Sequence, residues 1–353
     1  MDTNAFLTVL DLRMKHLYAV TSGDIKEEFS PYTNKVDHNQ ITYMTTGVTG
    51  LAMGQIIGEG QIPASDAPIQ GFSKVYTQAI FTHRVRFTHR NYYYLFVAKD
   101  AKKIDEGMKK TIVDLKNAIT ELKNYYSQSL LANGWNTAFT FTSINGGLSA
   151  PVNVDSTGAD GISYWSLVHP REDGGTAWAN IVTSGTINPL FNLTSLIAAR
   201  SIHADKKDGR GLPLRGSQLD KLVCLINTQT YYLAVSLKKT LDSGKFPAAN
   251  LISGNVSLVA PIGFVDASPT ESFDIIPLSR YGGTGLTNVM WFMFDSKKVS
   301  EDYGFQFIES MTPVTSSIQD DLGNFDYVST ILTYCQFGAS DLRYWMASNG
   351  TLA

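Results

Sequence analysis

Between Lys99 and Gly134 the apolar residues Ile104, Met108, Ile112, Leu115, Ile119, Leu122, Tyr126 and Leu130 recur at steps of three and four. That is one stripe of a 3.6-residue period, and it predicts a helix over 99–133. Lys, Asp and Glu fill the other side. Asp105 with Lys109 and Glu106 with Lys110 stand four apart with the acid first, an orientation that contributes about 0.2–0.5 kcal/mol per pair. Asn133-Gly134 supplies the left-handed residue that ends helices. At about 1.5 Å per residue the helix spans roughly 50 Å, several times the ordinary length. Ile112, Leu115 and Ile119 lie mid-stripe and are the expected core of this long helix.

A different period precedes it. Phe81, His83, Val85, Phe87 and His89 alternate with Thr82, Arg84, Arg86, Thr88 and Arg90, which predicts a strand with the arginines on one face. Tyr92 to Val97 continues the extended run. Before it, Asn39 to Ala79 carries Gly47, Gly50, Gly54, Gly58, Gly60 and Gly71 and too few periodic hydrophobics for a core. A connection this long is usually functional or disordered. Phe6, Val9, Leu10, Met14 and Leu17 predict a short helix within an N-terminal arm.

Further on, strands are predicted at 137–143, 222–226, 256–259, 273–277, 288–295, 304–310 and 327–337, and helices at 189–203, with Pro189 in the first turn, and from Thr228, as cap, to Leu241. Asn145 to Gly185 reads as loops and short strands. The class is α+β, without an internal repeat.

Charged residues make up 17% of the chain, below the usual quarter or so, which suits a sheet-rich protein much covered by neighbours. A net charge of −3 and a sequence pI of 6.1 lack the basic excess of a dedicated nucleic-acid binder, whose domain pI exceeds about 9. Contact with DNA is therefore expected to be weak or local. Cys224 and Cys335 are the only cysteines, too few for a disulfide framework or a four-thiolate metal site. No apolar run approaches the roughly 18 residues of a membrane span, and no secretory signal is apparent. The expectation is a protein made and kept in a reducing cytoplasm.

Catalytic chemistry is hard to find. No two of His16, His38, His83, His89, His169 and His203 are four apart on a helix, as a zinc-protease motif requires. Tyr281-Gly282-Gly283-Thr284-Gly285 lacks the following Lys-Ser or Lys-Thr of a phosphate loop. Gly50, Gly54 and Gly58 repeat the GxxxG spacing outside any membrane-length apolar run. Asp320 and Asp321 are adjacent on an extended chain and point apart, and no serine sits in a Gly-x-Ser-x-Gly elbow. Asn192, Asn255 and Asn349 open glycosylation triplets, which matter only in a secretory compartment. No catalytic, cofactor-binding or metal-ligating residue is assigned. A hydrolase or transferase using the Gly- and Asp-rich central region is the alternative from another class.

The order of arm, glycine-rich hairpin, long helix, mixed central part and late strands resembles the major capsid proteins of tailed double-stranded DNA bacteriophages, the Hong Kong 97-type fold. The likeness extends in particular to the Mu-like head subunits. Two segments carry the likeness: Leu196-Ile-Ala-Ala-Arg-Ser through Lys206-Lys-Asp-Gly-Arg-Gly-Leu-Pro-Leu to Leu222-Val-Cys-Leu-Ile, and Val289-Met-Trp-Phe-Met-Phe-Asp with Tyr334-Cys-Gln-Phe-Gly-Ala-Ser-Asp-Leu-Arg-Tyr-Trp. The resemblance implies an N-terminal arm over 1–38 and an extended loop over 39–92. It further implies a peripheral domain over 93–145 and 288–340 that carries the spine helix, and an axial domain over 146–287 and 341–353.

It also implies self-association into hexamers and pentamers of an icosahedral head shell assembled in the host cytoplasm. A separate scaffold protein, a portal and a decoration protein are the other expected partners, with packaged DNA touched only weakly and no membrane. A tail-tube or encapsulin-like shell subunit is the neighbouring alternative. In such a shell the extended loop lies on an adjacent subunit, so Arg84, Arg86 and Arg90 are expected to face carboxylates of a neighbour's spine helix: Asp100, Asp105, Asp114 and Glu121.

Overall fold

The computed structural model describes residues 3–48, 65–87, 101–143, 151–214, 217–242, 273–278, 289–299, 303–316, 319–321 and 326–350. In chain order these form α1 (Thr3–Val20), β1 (Thr33–Asp37), β2 (Thr42–Val48), β3 (Gln70–Thr77), β4 (Ala79–Phe87), α2 (Ala101–Asn133), β5 (Ala138–Phe141), β6 (Val152–Asp155), β7 (Thr183–Ser184) and β8 (Thr186–Ile187). There follow α3 (Leu193–Asp205), β9 (Lys221–Leu225), α4 (Gln229–Asp242), β10 (Asp274–Leu278), β11 (Trp291–Phe294), α5 (Ser296–Val299), β12 (Phe305–Thr315), β13 (Gln319–Asp321), β14 (Asp326–Ala339) and β15 (Trp345–Ser348). The fold is α+β. The strand expected at 256–259 and the glycine turn at 281–285 lie outside the described residues.

The long helix α2 has 33 residues. Met108, Ile112, Leu115, Ile119, Tyr126 and Leu130 are buried along its stripe. Leu115 and Ile119 pack with Ile331 of β14, Val85 of β4 and Tyr18 of α1. The other face departs from expectation: from Asn124 onward it is buried too, including Ser127, Gln128 and Ser129. The cause is the segment between α1 and β1, which lies across the helix and takes its hydrogen bonds from it. Asn117 Oδ1 accepts the N–H groups of Asp24 and Ile25 at 2.9 and 3.2 Å. Asn124 accepts the Glu28 N–H at 2.9 Å and donates to the Lys26 carbonyl at 2.9 Å. Gln128 donates to Glu28 at 2.7 Å, Tyr32 and Ser127 share a hydrogen bond of 2.9 Å, and Lys116 donates to the Thr21 carbonyl at 2.6 Å. A segment without regular structure must find partners for its backbone when covered, and this polar ladder supplies them.

The large sheet runs β1-β12-β14-β13, with β4 also paired to β14. β1 is parallel to β12, and β4 is antiparallel to β14 from Ala79↔Cys335 to Phe87↔Tyr327. The second sheet runs β10-β9-β11-β15, and β2 with β3 forms a separate two-stranded ribbon. Three strands pair across the boundaries of the expected segments. β1, expected in the arm, is an edge strand of the large sheet. β4, expected in the hairpin, belongs to that sheet as well, because Phe81 and Val85 need the cover that α2 gives them. β11, expected with the peripheral strands, lies between β9 and β15.

Sequence explains the last case. Trp-Phe-Met-Phe has no polar alternation, so it suits a strand covered on both faces. Phe292 and Phe294 enter a core with Trp165, Phe305 and Trp345. Trp291 and Met293 enter another with Leu196 and Ala199 of α3 and Ala234 of α4. Helix α3 begins at Leu193 rather than at Pro189. Asn192 caps it, accepting the Ser195 N–H at 2.8 Å while Ser195 Oγ accepts the Asn192 N–H at 2.8 Å, a reciprocal capping box. Pro189 stays outside the helix, and its carbonyl accepts from Trp291 and Ser348. Thr228 caps α4 by accepting the Tyr231 N–H at 3.2 Å. Cys224 and Cys335 are buried free thiols, each pushed up to about 12 by burial. No helix among the described residues is long and apolar enough to cross a membrane.

Candidate functional site

The β2–β3 ribbon lies on the body by one face and leaves the other outward. Tyr43, Thr45, Lys74 and Tyr76 turn inward. Lys74 Nζ pairs with Asp155 and donates to Thr157 Oγ1 at 2.9 Å. Burial works against the charge of Asp155, but the hydrogen bonds from Lys74 and Thr157 outweigh it and hold the carboxyl below its ordinary value. Tyr76 passes so close over Gly338 of β14 that a Cβ there would overlap its ring. Arg210 holds Asp66 and the Ala67 carbonyl, fixing the chain just before β3. On the outer face Met44 and Val75 sit opposite each other across the ribbon, 60% and 58% exposed. Ile41 and Ile69 are exposed near its ends.

Arg84 and Arg86 are exposed on β4, on the face opposite Phe81 and Val85. Val85 faces α2, so within one subunit the sheet separates these arginines from the helix. Asp114 is exposed on α2 and Glu121 is half-buried. Arg90, Asp100 and the side chain of Asp105 lie outside the described residues. Ile112, Leu115 and Ile119 are in the interior between helix and sheet.

A second group of polar side chains, which sequence reasoning missed, is buried beside the ribbon. His169 Nδ1 is 2.7 Å from Asp160, its Nε2 is 3.3 Å from Asn180 Oδ1, and its ring stacks on Trp178 at 4.2 Å. Arg343 donates to both oxygens of Glu172 at 2.8 and 2.9 Å. Burial opposes the Arg343 charge, but Asp341 and Glu172 outweigh it and raise its pKa. Lys206 is fully enclosed and donates to the carbonyls of Arg343 and Trp345 at 2.9 and 2.8 Å. Burial brings it well below the ordinary lysine value. The cluster ties the 158–180 loops to the 341–345 turn. Its only trace in the sequence is the Lys-Asp-Gly-Arg turn and the closing Asp-x-Arg.

A serine–histidine pair also exists. His203 Nε2 is 2.7 Å from Ser217 Oγ, but that hydroxyl donates to Asp295 at 2.7 Å. A nucleophilic serine needs the histidine to accept its proton; here the carboxylate takes it. Burial and the neighbouring Lys206 lower His203 to about 3. Among the described residues, no cluster of His, Cys, Asp and Glu is placed to hold a metal ion.

No family model matches the chain, and no curated protein does. Among solved structures, it is similar to the procapsid subunit of bacteriophage JBD30, at 11% identity and a TM-score of 0.44 over 100% of this chain and 77% of that one. It is similar to the capsid of an empty GTA particle, at 10% identity and a TM-score of 0.48 over 93% and 92%. The capsid of Myoviridae phage XM1 matches at 9% identity and a TM-score of 0.47 over 95% of each chain.

Proposed function

We propose that the chain is a structural major capsid protein, a subunit that self-assembles into the icosahedral head shell of a tailed double-stranded DNA phage. One observation carries the reading: a two-stranded ribbon, pinned to the body along its inner face, holds the apolar pair Met44 and Val75 outward. A lone two-stranded ribbon is marginal in water, and an exposed apolar stripe marks a surface meant to be covered. An extension on one copy that covers the body of the next is a head-to-tail contact, and such contacts form rings where the rotation between copies closes. Helix α2, roughly 50 Å long at about 1.5 Å per residue, gives each copy a stiff spine. In this role Arg84 and Arg86 meet Asp114 and Glu121 of a neighbour's helix. A separate scaffold, a portal and a decoration protein complete the particle, and DNA touches the inner surface only weakly.

Hydrogen exchange tests the reading. In assembled material the amides of Thr42–Val48 and Gln70–Thr77 exchange much more slowly than in the isolated subunit. Equal protection in both would make the ribbon part of a self-sufficient monomer and end the proposal.

A further inference from the structure

A cleft of about 530 Å³ opens beside the ribbon. All five residues from Tyr43 to Gly47 line it. Successive side chains of a strand point to opposite faces, so five in a row lining the cleft means that β2 presents its main chain to it as well as side chains. One edge of β2 pairs with β3, and among the described residues no strand pairs the other. Every second residue therefore directs its N–H and C=O toward that open side.

Gln306 of β12, opposite Gly338, also lines the cleft. It is 0% exposed, and neither its Nε2 nor its Oε1 has a partner. Three other lining residues carry buried polar atoms without partners, Thr45 at Oγ1, Trp178 at Nε1 and Arg343 at Nε. Buried polar groups left unpaired oppose folding, so this set asks for an explanation. It needs acceptors for its donors and one donor for Gln306 Oε1. The lining is acidic as well: Asp160, Glu172, Asp208 and Asp341 outnumber Arg343 and His169.

We propose that this cleft is a docking groove for an extended segment of another polypeptide, added as a strand along the open edge of β2, with a lysine or arginine facing Gln306. A peptide main chain carries both N–H and C=O groups and pairs with a free strand edge, as the mixed set here requires. The cation supplies the donor for Gln306 and answers the surplus carboxylates. An anionic ligand would be repelled by them, and a bare metal ion would leave every donor unmet. The proposal stands apart from shell formation, since it concerns a groove within one subunit.

Titration calorimetry of the full chain with the peptide acetyl-Thr-Val-Lys-Val-Thr-amide, and with the same peptide carrying Glu for Lys, tests it. The lysine peptide binds saturably, and the glutamate peptide binds at least ten-fold more weakly. Gln306→Leu costs at least ten-fold in affinity, yet unfolds at the same or a higher temperature, because it removes two unpaired polar atoms. Should that variant fail to fold, Asp208→Asn serves: it keeps the Oδ1 that accepts from Arg210 and Leu212 and still lowers affinity for the lysine peptide several-fold. No saturable heat, equal affinity for both peptides, or unchanged affinity in the variants would overturn the proposal. So would a sedimentation result in which the groove opens to peptide only as the protein's own oligomer dissociates, because the occupant would then be a second copy.

Discussion

Asn124→Ala isolates the contribution of the segment lying across α2. Asn124 is 3% exposed and makes two hydrogen bonds to that segment, accepting from the Glu28 N–H and donating to the Lys26 carbonyl. Alanine removes the partner of both backbone groups. Each backbone group so stranded costs about 1–3 kcal/mol, giving about 2–6 kcal/mol for the pair, a large part of the roughly 5–15 kcal/mol that holds a domain folded. The loss is local first, since Tyr32, with Phe29, remains anchored in the main core. Native-state hydrogen exchange of the isolated subunit is the assay. The Glu28 amide, with those of Asp24 and Ile25 held by Asn117, loses protection, while the amides around Leu130 keep theirs. Unchanged protection at Glu28, or a change in unfolding free energy below about 0.5 kcal/mol, would refute the view that the polar ladder fixes this segment.

Leu115→Ala, at a position with 0% exposure, lowers stability by about 2–5 kcal/mol, read as a reduced urea midpoint. An unshifted midpoint would mean that the helix stripe is not core. Arg84→Glu with Arg86→Glu leaves the circular dichroism of the subunit unchanged but cuts shell yield and alters its salt dependence. A single exposed pair contributes only about 0–1 kcal/mol, but the contact repeats in every copy, and normal yield at low and high salt would deny these arginines an assembly role. The Asp155 carboxyl is held below its ordinary value, so its pairing with Lys74 stabilises the ribbon's footing fully above the ordinary aspartate pKa. That contribution is lost as pH falls through the depressed one. Exchange at β3 amides should therefore speed up in acid beyond the intrinsic effect, and Asp155→Asn should abolish the pH dependence.

The legible parts of this chain were those where burial depends on near neighbours in sequence. The α2 stripe, the alternation of β4 and the Thr228 cap follow from local periodicity and local hydrogen bonding, and the structure has all three. The polar ladder was illegible because Asn117, Asn124 and Gln128 look like any solvated helix face until a distant segment covers them. Gln306 was illegible for the same reason: within Phe-Gln-Phe-Ile-Glu it reads as the outward member of an alternating strand, yet it is fully buried, and Tyr76 of the distant ribbon passes over Gly338, its partner across the sheet. β11 was legible as a strand but not as to its sheet, since a wholly apolar run states that both faces are covered without saying by what.

Negative-stain electron microscopy of the purified full-length protein, at rising concentration, tests the central claim most directly. Closed shells of uniform diameter, built from hexameric and pentameric rings, are the predicted result. A field of monomers or small discrete oligomers at every concentration, with added polyglutamate or polyethylene glycol giving no shells, would contradict it.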